Sequence, residues 1–307
     1  MSINNQTMTE YLSFCRYQKN LDGKSVKAYR IDLTQYLSFT YSGVAEDERA
    51  KVLAFLEYLH GDYKPRTVKR KIASLKAFFT YCLDFDLLEV SPFGRLSVKY
   101  STPLVLPRTI PREDVWAILQ AAHTHLQQEH RTPYQKRMCL RDTAVMELLF
   151  ATGVRVSELC NLSKCHLNIQ SKSLRVMGKG DKERILQVTH SAVLDLLDMY
   201  LSECVPDVDS HGPLFYTRNG GGISEAAVRR LILKYAERAG ILDHLTPHMF
   251  RHTFATLLLE EGVDIRYIQH MLGHSNISTT QIYTHVASAK QRDILEMHHP
   301  RNLMNIG

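Results

Sequence analysis

Thr246-Pro247-His248-Met249-Phe250-Arg251 puts a good N-cap residue before a proline suited to the first helical position, so His248 and Arg251 fall three residues apart on one helix face. Hydrogen-donating and cationic side chains beside the free N–H groups of a helix N-terminus suit a phosphate. Taken alone, that spacing describes a surface histidine and a surface arginine equally well. Arg155 follows a glycine break in Ala151-Thr152-Gly153-Val154-Arg155, and Glu158, three residues on, can orient its planar fork toward two phosphate oxygens at once. Met271-Leu272-Gly273-His274 offers a histidine, and Ser278-Thr279-Thr280-Gln281-Ile282-Tyr283 a tyrosine. In a chain with 15 histidines and 15 tyrosines, neither is informative by itself.

The elements that must hold these residues are mostly helices. From near Ser25, Tyr29, Leu33, Tyr36, Leu37 and Phe39 recur on one side of a helix. After Pro65 a second helix alternates Val68, Ile72, Leu75 and Phe79 with Arg66, Lys69, Arg70, Lys71 and Lys76, giving one apolar and one cationic face. Pro92, Pro103, Pro107 and Pro111 then interrupt the periodicity, which marks a helical domain over 1–98, a linker over 99–111 and a second domain over 112–307. Helical signal resumes at Arg112 through Val115, Ile118 and Leu119, and again from Leu140 to the break at Thr152-Gly153. The polar stretch from His123 to Arg137 reads as an extended connection. Leu174–Met177 and Arg184–Val188 form a strand pair around Gly178-Lys179-Gly180-Asp181-Lys182-Glu183, with a lysine at the tip. Helices are expected again over Ser224–Ala239 and Pro247–Gly262.

Together the segments A-T-G-V-R-V-S-E-L at Arg155, G-K-G-D-K-E-R at Lys179, H-x-x-R at His248 and Arg251, L-G-H at His274, and Tyr283 resemble the tyrosine recombinase (phage integrase) family, in the family's order. The closing Leu295-Glu296-Met297-His298-His299-Pro300-Arg301 resembles the end of the Xer-like members. The resemblance covers nearly the whole chain. It implies a mainly α fold with a small β-hairpin or sheet in the catalytic domain, and a two-domain clamp around double-stranded DNA. It also implies site-specific strand breakage and rejoining, with Tyr283 as a nucleophile that becomes linked to a 3′ phosphate.

On the resemblance, Arg155, Arg251 and His274 stabilise charge on the nonbridging oxygens of the scissile phosphate. His248 adds a hydrogen bond or accepts the nucleophile's proton. Lys179 is the general acid for the leaving 5′ oxygen, with Lys182 its neighbour and competitor, and Glu158 supports Arg155 from behind. A free tyrosine ionises near pH 10, so Tyr283 depends on those cations and a base. The phosphotyrosine conserves the energy of the broken bond, so neither ATP nor another cofactor is implied. Accordingly, G-K-G is not embedded in a G-x-x-x-x-G-K-[ST] loop.

The cationic face at Arg66, Lys69, Arg70 and Lys71 is then expected on the DNA backbone, positioning the protein without naming a sequence. The segment from His285 to Gly307 is expected to dock on a neighbouring protomer within a tetramer on two DNA sites. A second recombinase or an accessory protein is a further expected partner. Rival readings are a type IB topoisomerase, which shares the tyrosine and cations, and a noncatalytic DNA-binding module. Within the family the choice is between Xer-type dimer resolution and mobile-element integration, excision or resolution. The long polar connection over His123–Arg137 favours the second, in an Xer-like architecture.

Bulk properties are permissive. Lysine and arginine outnumber acids 38 to 32, for a formal net charge of +6, which allows a polyanionic partner without establishing one. Six cysteines without a C-x-x-C pair, and an N-terminus without a basic-then-apolar segment, point to a reduced cytoplasmic protein. No run reaches the roughly 18 to 20 apolar residues of a membrane helix. Cys160, Cys165 and His166 lack the paired spacing of a zinc site, so no metal is expected.

Overall fold

A computed structural model describes residues 3–41, 43, 47–94, 108–129, 132–178, 183–205, 211–273 and 294–304. The chain divides into two compact units, Met1–Val105 and Leu106–Gly307. Residues 95–107, most of the proline-rich linker, lie outside the described residues.

In the first unit, α1 (Asn5–Tyr17), α2 (Gly23–Thr40), α3 (Glu48–Asp62) and α4 (Pro65–Asp84) each start where local chemistry satisfies the first N–H groups. Asn4, Asp22 and Asp47 accept hydrogen bonds from the opening turns of α1, α2 and α3, and α4 begins on a proline. Val68, Ile72, Leu75 and Phe79 are all buried, as their spacing requires, and pack with Tyr36, Leu37, Phe55 and Leu59.

The cationic face of α4 needs one correction. Lys71 is buried, with its ammonium on the fully buried carboxylate of Asp32 (3.1 Å) and over the ring of Tyr63. Ser74 also donates to Asp32 (2.7 Å), and Arg70 pairs with it from a half-exposed position. The reason lies in the spacing. Lys71 stands three residues after Val68 and four before Leu75, inside the apolar stripe, just as Asp32 stands between Tyr29 and Tyr36 on α2. A buried cation and a buried anion therefore meet and satisfy each other. Arg66, Lys69, Arg70 and Lys76 remain exposed.

The second unit is built on α6 (Pro133–Thr152), buried almost continuously from Cys139 to Thr152. Around it lie α5 (Arg112–Gln127), α8 (Ser191–Cys204), α9 (Glu225–Arg238) and α10 (Pro247–Glu260). The short α7 (Val156–Cys160) follows α6, and α11 (Ile265–Leu272) follows α10. Residues 294–298 are helical and lead into a 3-10 turn, Pro300–Leu303.

The expected strand pair is present as β2 (Ser173–Met177) and β3 (Glu183–Gln187), antiparallel with Val176 opposite Arg184. A two-residue strand, β1 (Leu167–Asn168), extends the sheet beyond what the alternation indicated. The larger departure is the expected extended connection over His123–Arg137. In the structure α5 runs through it to Gln127, and α6 starts at Pro133 behind a capping box in which Thr132 and Gln135 exchange hydrogen bonds. His123 is polar because it hydrogen-bonds buried Glu147 (2.7 Å), and His125 because it meets the Tyr235 hydroxyl (3.1 Å). The polarity reflects helix-borne partners and a cap.

α6 ends at Gly153, in the left-handed region at φ 59°. A Cβ there would lie 2.5 Å from Cδ1 of Phe254 on α10. Gly153→Ala therefore combines an unfavourable backbone conformation with overpacking and is expected to cost about 2 to 4 kcal/mol. Urea unfolding followed by circular dichroism, with an unchanged m-value, is the check; a loss under about 0.5 kcal/mol would contradict that packing.

Candidate active site

Three arginines from separate parts of the second unit converge on the end of α11. Arg155 lies at the entrance to α7, immediately after the Gly153 turn; Arg184 lies on β3; Arg251 lies one turn into α10. The carbonyl oxygens of Met271, Leu272 and Gly273 lie at the C-terminal end of α11, which Gly273 closes at φ 66°. Arg184 Nε donates to Met271 O (3.0 Å), Arg251 Nη2 to Leu272 O (2.6 Å) and Arg155 Nη2 to Gly273 O (3.2 Å). Arg155 Nη1 also reaches Leu272 O at 3.4 Å, so Arg155 and Arg251 share an acceptor. The helix dipole gives those carbonyls a partial negative charge that favours the cations.

The carboxylate at the centre is Glu158 on α7. Its Oε1 accepts from Arg155 Nη1 (2.8 Å) and Arg184 Nη1 (2.9 Å), and its Oε2 from Arg184 Nη2 (2.7 Å) and the Arg155 backbone N–H (2.9 Å). Burial alone would raise its pKa, but Arg184 and Arg155 outweigh it and hold the carboxyl down at about 2. Arg251 is buried and donates to the carbonyls of Gly153 (2.9 Å) and Leu272, groups with no net charge. Burial, with Arg155 and Arg184 nearby, pulls its pKa down to about 10, so it is still charged at neutral pH. Among the described residues, three guanidiniums thus cluster around one carboxylate. The cluster has a surplus of positive charge, and the Arg155 side chain is 34% exposed, in reach of a ligand.

His248 sits in the first turn of α10, where Thr246 accepts from Met249 N–H and Pro247 starts the helix. It is exposed while Arg251 is buried. Arg155, Glu158 and Arg251 are therefore brought together. Lys179, Lys182, His274 and Tyr283 lie outside the described residues, as do 285–293 and 305–307 of the segment from His285.

Sequence reasoning assigned Arg184 no role, although it closes the G-K-G-D-K-E-R segment; its signal was an arginine on a strand one register step from the hairpin turn. Sequence reasoning also missed the anchorage of the chain's end. Arg301 is buried on Glu147 of α6 (3.3 Å), and buried His299 donates from Nε2 to Ala151 O (2.8 Å) while its Nδ1 accepts the Arg301 N–H (2.9 Å). With Leu295 and Met304 also buried, residues 294–304 pack on the second unit. The last turn of α6 is thus gripped at Ala151 by His299 and at Gly153 by Arg251.

Comparison with known proteins places this arrangement. The profile described as "Phage integrase family" matches residues 108–290, and that described as "Phage integrase, N-terminal SAM-like domain" matches residues 8–84. The chain is 46% identical over 299 residues to a protein of Agathobacter rectalis named "Tyrosine recombinase", covering 96% of each. It is 34% identical over 307 residues to "Tyrosine recombinase XerD" of Listeria innocua, covering 97% of this chain and 99% of that one. Among solved structures, the XerH recombinase in a post-cleavage complex with palindromic difH is similar in fold, with a TM-score of 0.71 at 20% identity over 95% of this chain and 84% of that one.

The His299 anchor gives a pH dependence. Burial pushes the His299 pKa down to about 4, against the hydrogen bond to Ala151 O, which favours the proton. In the unfolded chain a histidine takes up its proton near pH 6.5, so below that value the unfolded state binds more protons and stability falls as pH drops toward 4. The loss is about 3 kcal/mol and is complete below the folded pKa. Burial lowers His190 and His252 as well, so they steepen the same window. Urea unfolding between pH 7 and 4.5 is expected to show this slope, reduced in His299→Gln; equal slopes would contradict the assignment.

Proposed function

The chain belongs to the phage integrase family and is a site-specific tyrosine recombinase that breaks and rejoins DNA, and from that premise we propose that Tyr283 performs the cut in the pocket formed by Arg155, Arg251 and their neighbours. The observation that carries the reading is the charge count around Glu158: three guanidiniums against one carboxylate, fixed from behind by main-chain carbonyls. A pre-oriented cationic cluster of that kind suits a phosphodiester, whose two nonbridging oxygens gain negative charge as the bond breaks.

The Tyr283 oxygen attacks phosphorus, forms a 3′-phosphotyrosine and expels the 5′ oxygen of the next nucleotide. Arg155, Arg251 and His274 stabilise the charge on the phosphate, and His248 hydrogen-bonds it or takes the tyrosine proton. Lys179 gives the 5′ oxygen its proton, with Lys182 as the nearest substitute. Rejoining reverses these transfers on a 5′ hydroxyl from a partner strand, and since one bond is exchanged for a similar one, no cofactor enters. Exchanging both strands of two duplexes cuts four strands, each at one tyrosine, so the working assembly is four protomers on two DNA sites.

A helical DNA-binding domain over 1–98 and a catalytic domain over 112–307 each contact the duplex. Arg66, Lys69 and Arg70 supply exposed charge to the backbone, while Lys71 serves the interior. The curated relatives come from bacteria, where the DNA lies in the cytoplasm, and the protein is expected to work there. The preference for a mobile-element role rested on a long extended connection over His123–Arg137; that stretch is mostly helical, so the objection to an Xer-type role on DNA dimers falls away.

Nicked duplexes carrying candidate sites from around the gene, incubated with the protein in EDTA and denatured, are expected to yield a protein-linked strand mapping to Tyr283. Tyr283→Phe is expected to bind those duplexes and form no link; linkage by that variant would overturn the nucleophile. Separately, Lys179→Ala is expected to lose about 10²- to 10⁴-fold in cleavage rate and to recover on a substrate whose 5′ leaving group needs no protonation. Recovery in Lys182→Ala, with none in Lys179→Ala, would move the acid role to Lys182.

A further inference from the structure

Arg184 takes part in none of these transfers, yet its guanidinium ties three segments together. Its two Nη atoms meet the two Glu158 oxygens in a parallel fork, 2.9 and 2.7 Å, while its Nε donates to Met271 O at the end of α11 (3.0 Å). The side chain is 11% exposed. It lies so close to Gly273 that a Cβ there would come within 3.1 to 3.3 Å of its Nη1, Cδ and Cζ.

The geometry at Glu158 shows what depends on this. Among the described residues, its remaining hydrogen bonds come from Arg155 itself, through the backbone N–H and Nη1. Without Arg184, the sole described residue holding the carboxylate would be the one it is meant to orient, and the two could swing together. Arg184 is the anchor outside that pair: it fixes both carboxylate oxygens, and through Oε1 the direction of the Arg155 fork. By its bond to Met271 O it also fixes the last turn of α11, whose next two carbonyls hold Arg155 and Arg251.

On the reading that this pocket grips the scissile phosphate, we propose that Arg184 is a positioning residue of the cleavage step, aiming Arg155 by anchoring Glu158 and the α11 terminus to β3. It acts on the chemical step and not on DNA affinity, because the expected backbone contacts at Arg66, Lys69 and Arg70 do not pass through it. Displacing a phosphate-binding group by about 1 Å costs on the order of 10²-fold in rate. In the wild type Glu158 is ionised throughout the working range. Removing Arg184 takes away two of the hydrogen bonds that oppose its burial, so its protonation moves upward and silences the pocket as pH falls.

The test uses the full-length protein and a cleavable site. Arg184→Met is expected to slow single-turnover formation of the covalent protein–DNA complex about 100-fold at pH 7 while the Kd for the same duplex changes less than about 3-fold. Its rate is expected to gain an acid limb at about pH 5 to 6 that the wild type lacks. Glu158→Gln combined with Arg184→Met is expected to be little worse than either alone, the signature of residues acting as one unit. Arg184→Lys keeps the charge but not the fork, which guards against loss of fold in the methionine variant, and is expected to fall between the two.

A rate within 2-fold of wild type in both variants, or additive losses with an unmoved acid limb, would overturn the proposal. Carboxyl ¹³C titration of Glu158 reads the same link without turnover. A Glu158 pKa unchanged by Arg184→Met overturns the proposal whatever the activity, and a raised one supports it. Absence of covalent complex from the wild type on every site would instead fail the recombinase reading of the pocket.

Discussion

One carboxylate sets the geometry of the pocket. Glu158 accepts from two guanidiniums and a backbone N–H, and stays ionised under burial because those donors outweigh the loss of water. A buried pair of this kind is costly to break, since the survivor is left charged and unsolvated. Such an interaction fixes where the arginines lie more than it adds to stability. The same device recurs in the first unit, where Asp32, fully buried on α2, takes Lys71 and Ser74 from α4 and holds the half-exposed Arg70. In each unit an arginine that reaches the surface is steadied from beneath by an acid that does not.

The second unit assembles around α6 because that helix is apolar over most of its circumference and must be covered on every side. Its C-terminal turn is where fold and chemistry meet. Gly153 lets the chain reverse toward Arg155, Arg251 from α10 takes the Gly153 carbonyl, and His299 from the chain's end takes the Ala151 carbonyl. Glu147, one turn further back, binds Arg301 and His123. Residues 294–304 therefore support the second unit from within the same chain, and of the segment from His285 expected to dock on a neighbour, the remaining residues lie outside those described.

Periodicity exposed the helices that carry regular apolar spacing, and the motif segments gave the members of the arginine cluster, because those signals are local. Tertiary pairing stayed hidden. Lys71 and Asp32 each occupy an apolar stripe, a contradiction in a single helix that is resolved only when the two are face to face. His123 and His125 looked like loop residues because their partners, Glu147 and Tyr235, are far along the chain. Thr132-Pro133 with Gln135 was a readable helix start, passed over in favour of overall polarity. Arg184 was visible as a letter of a motif, but its use depends on where β3 meets α7 and α11, which no spacing encodes.

The arginines of the pocket rest largely on main-chain oxygen atoms: those of Gly153, Met271, Leu272 and Gly273. A carbonyl cannot be lost by substitution. The side chains at 271 and 272, both buried, are thus free to drift among shapes that fill the interior without altering what the guanidiniums hold. Positions 153 and 273 are each bound to one residue type, by φ of 59° and 66° and by the Phe254 and Arg184 side chains lying against them. A lineage could repack this interior, and with it change heat tolerance, while the arginine cluster and its main-chain partners descend intact.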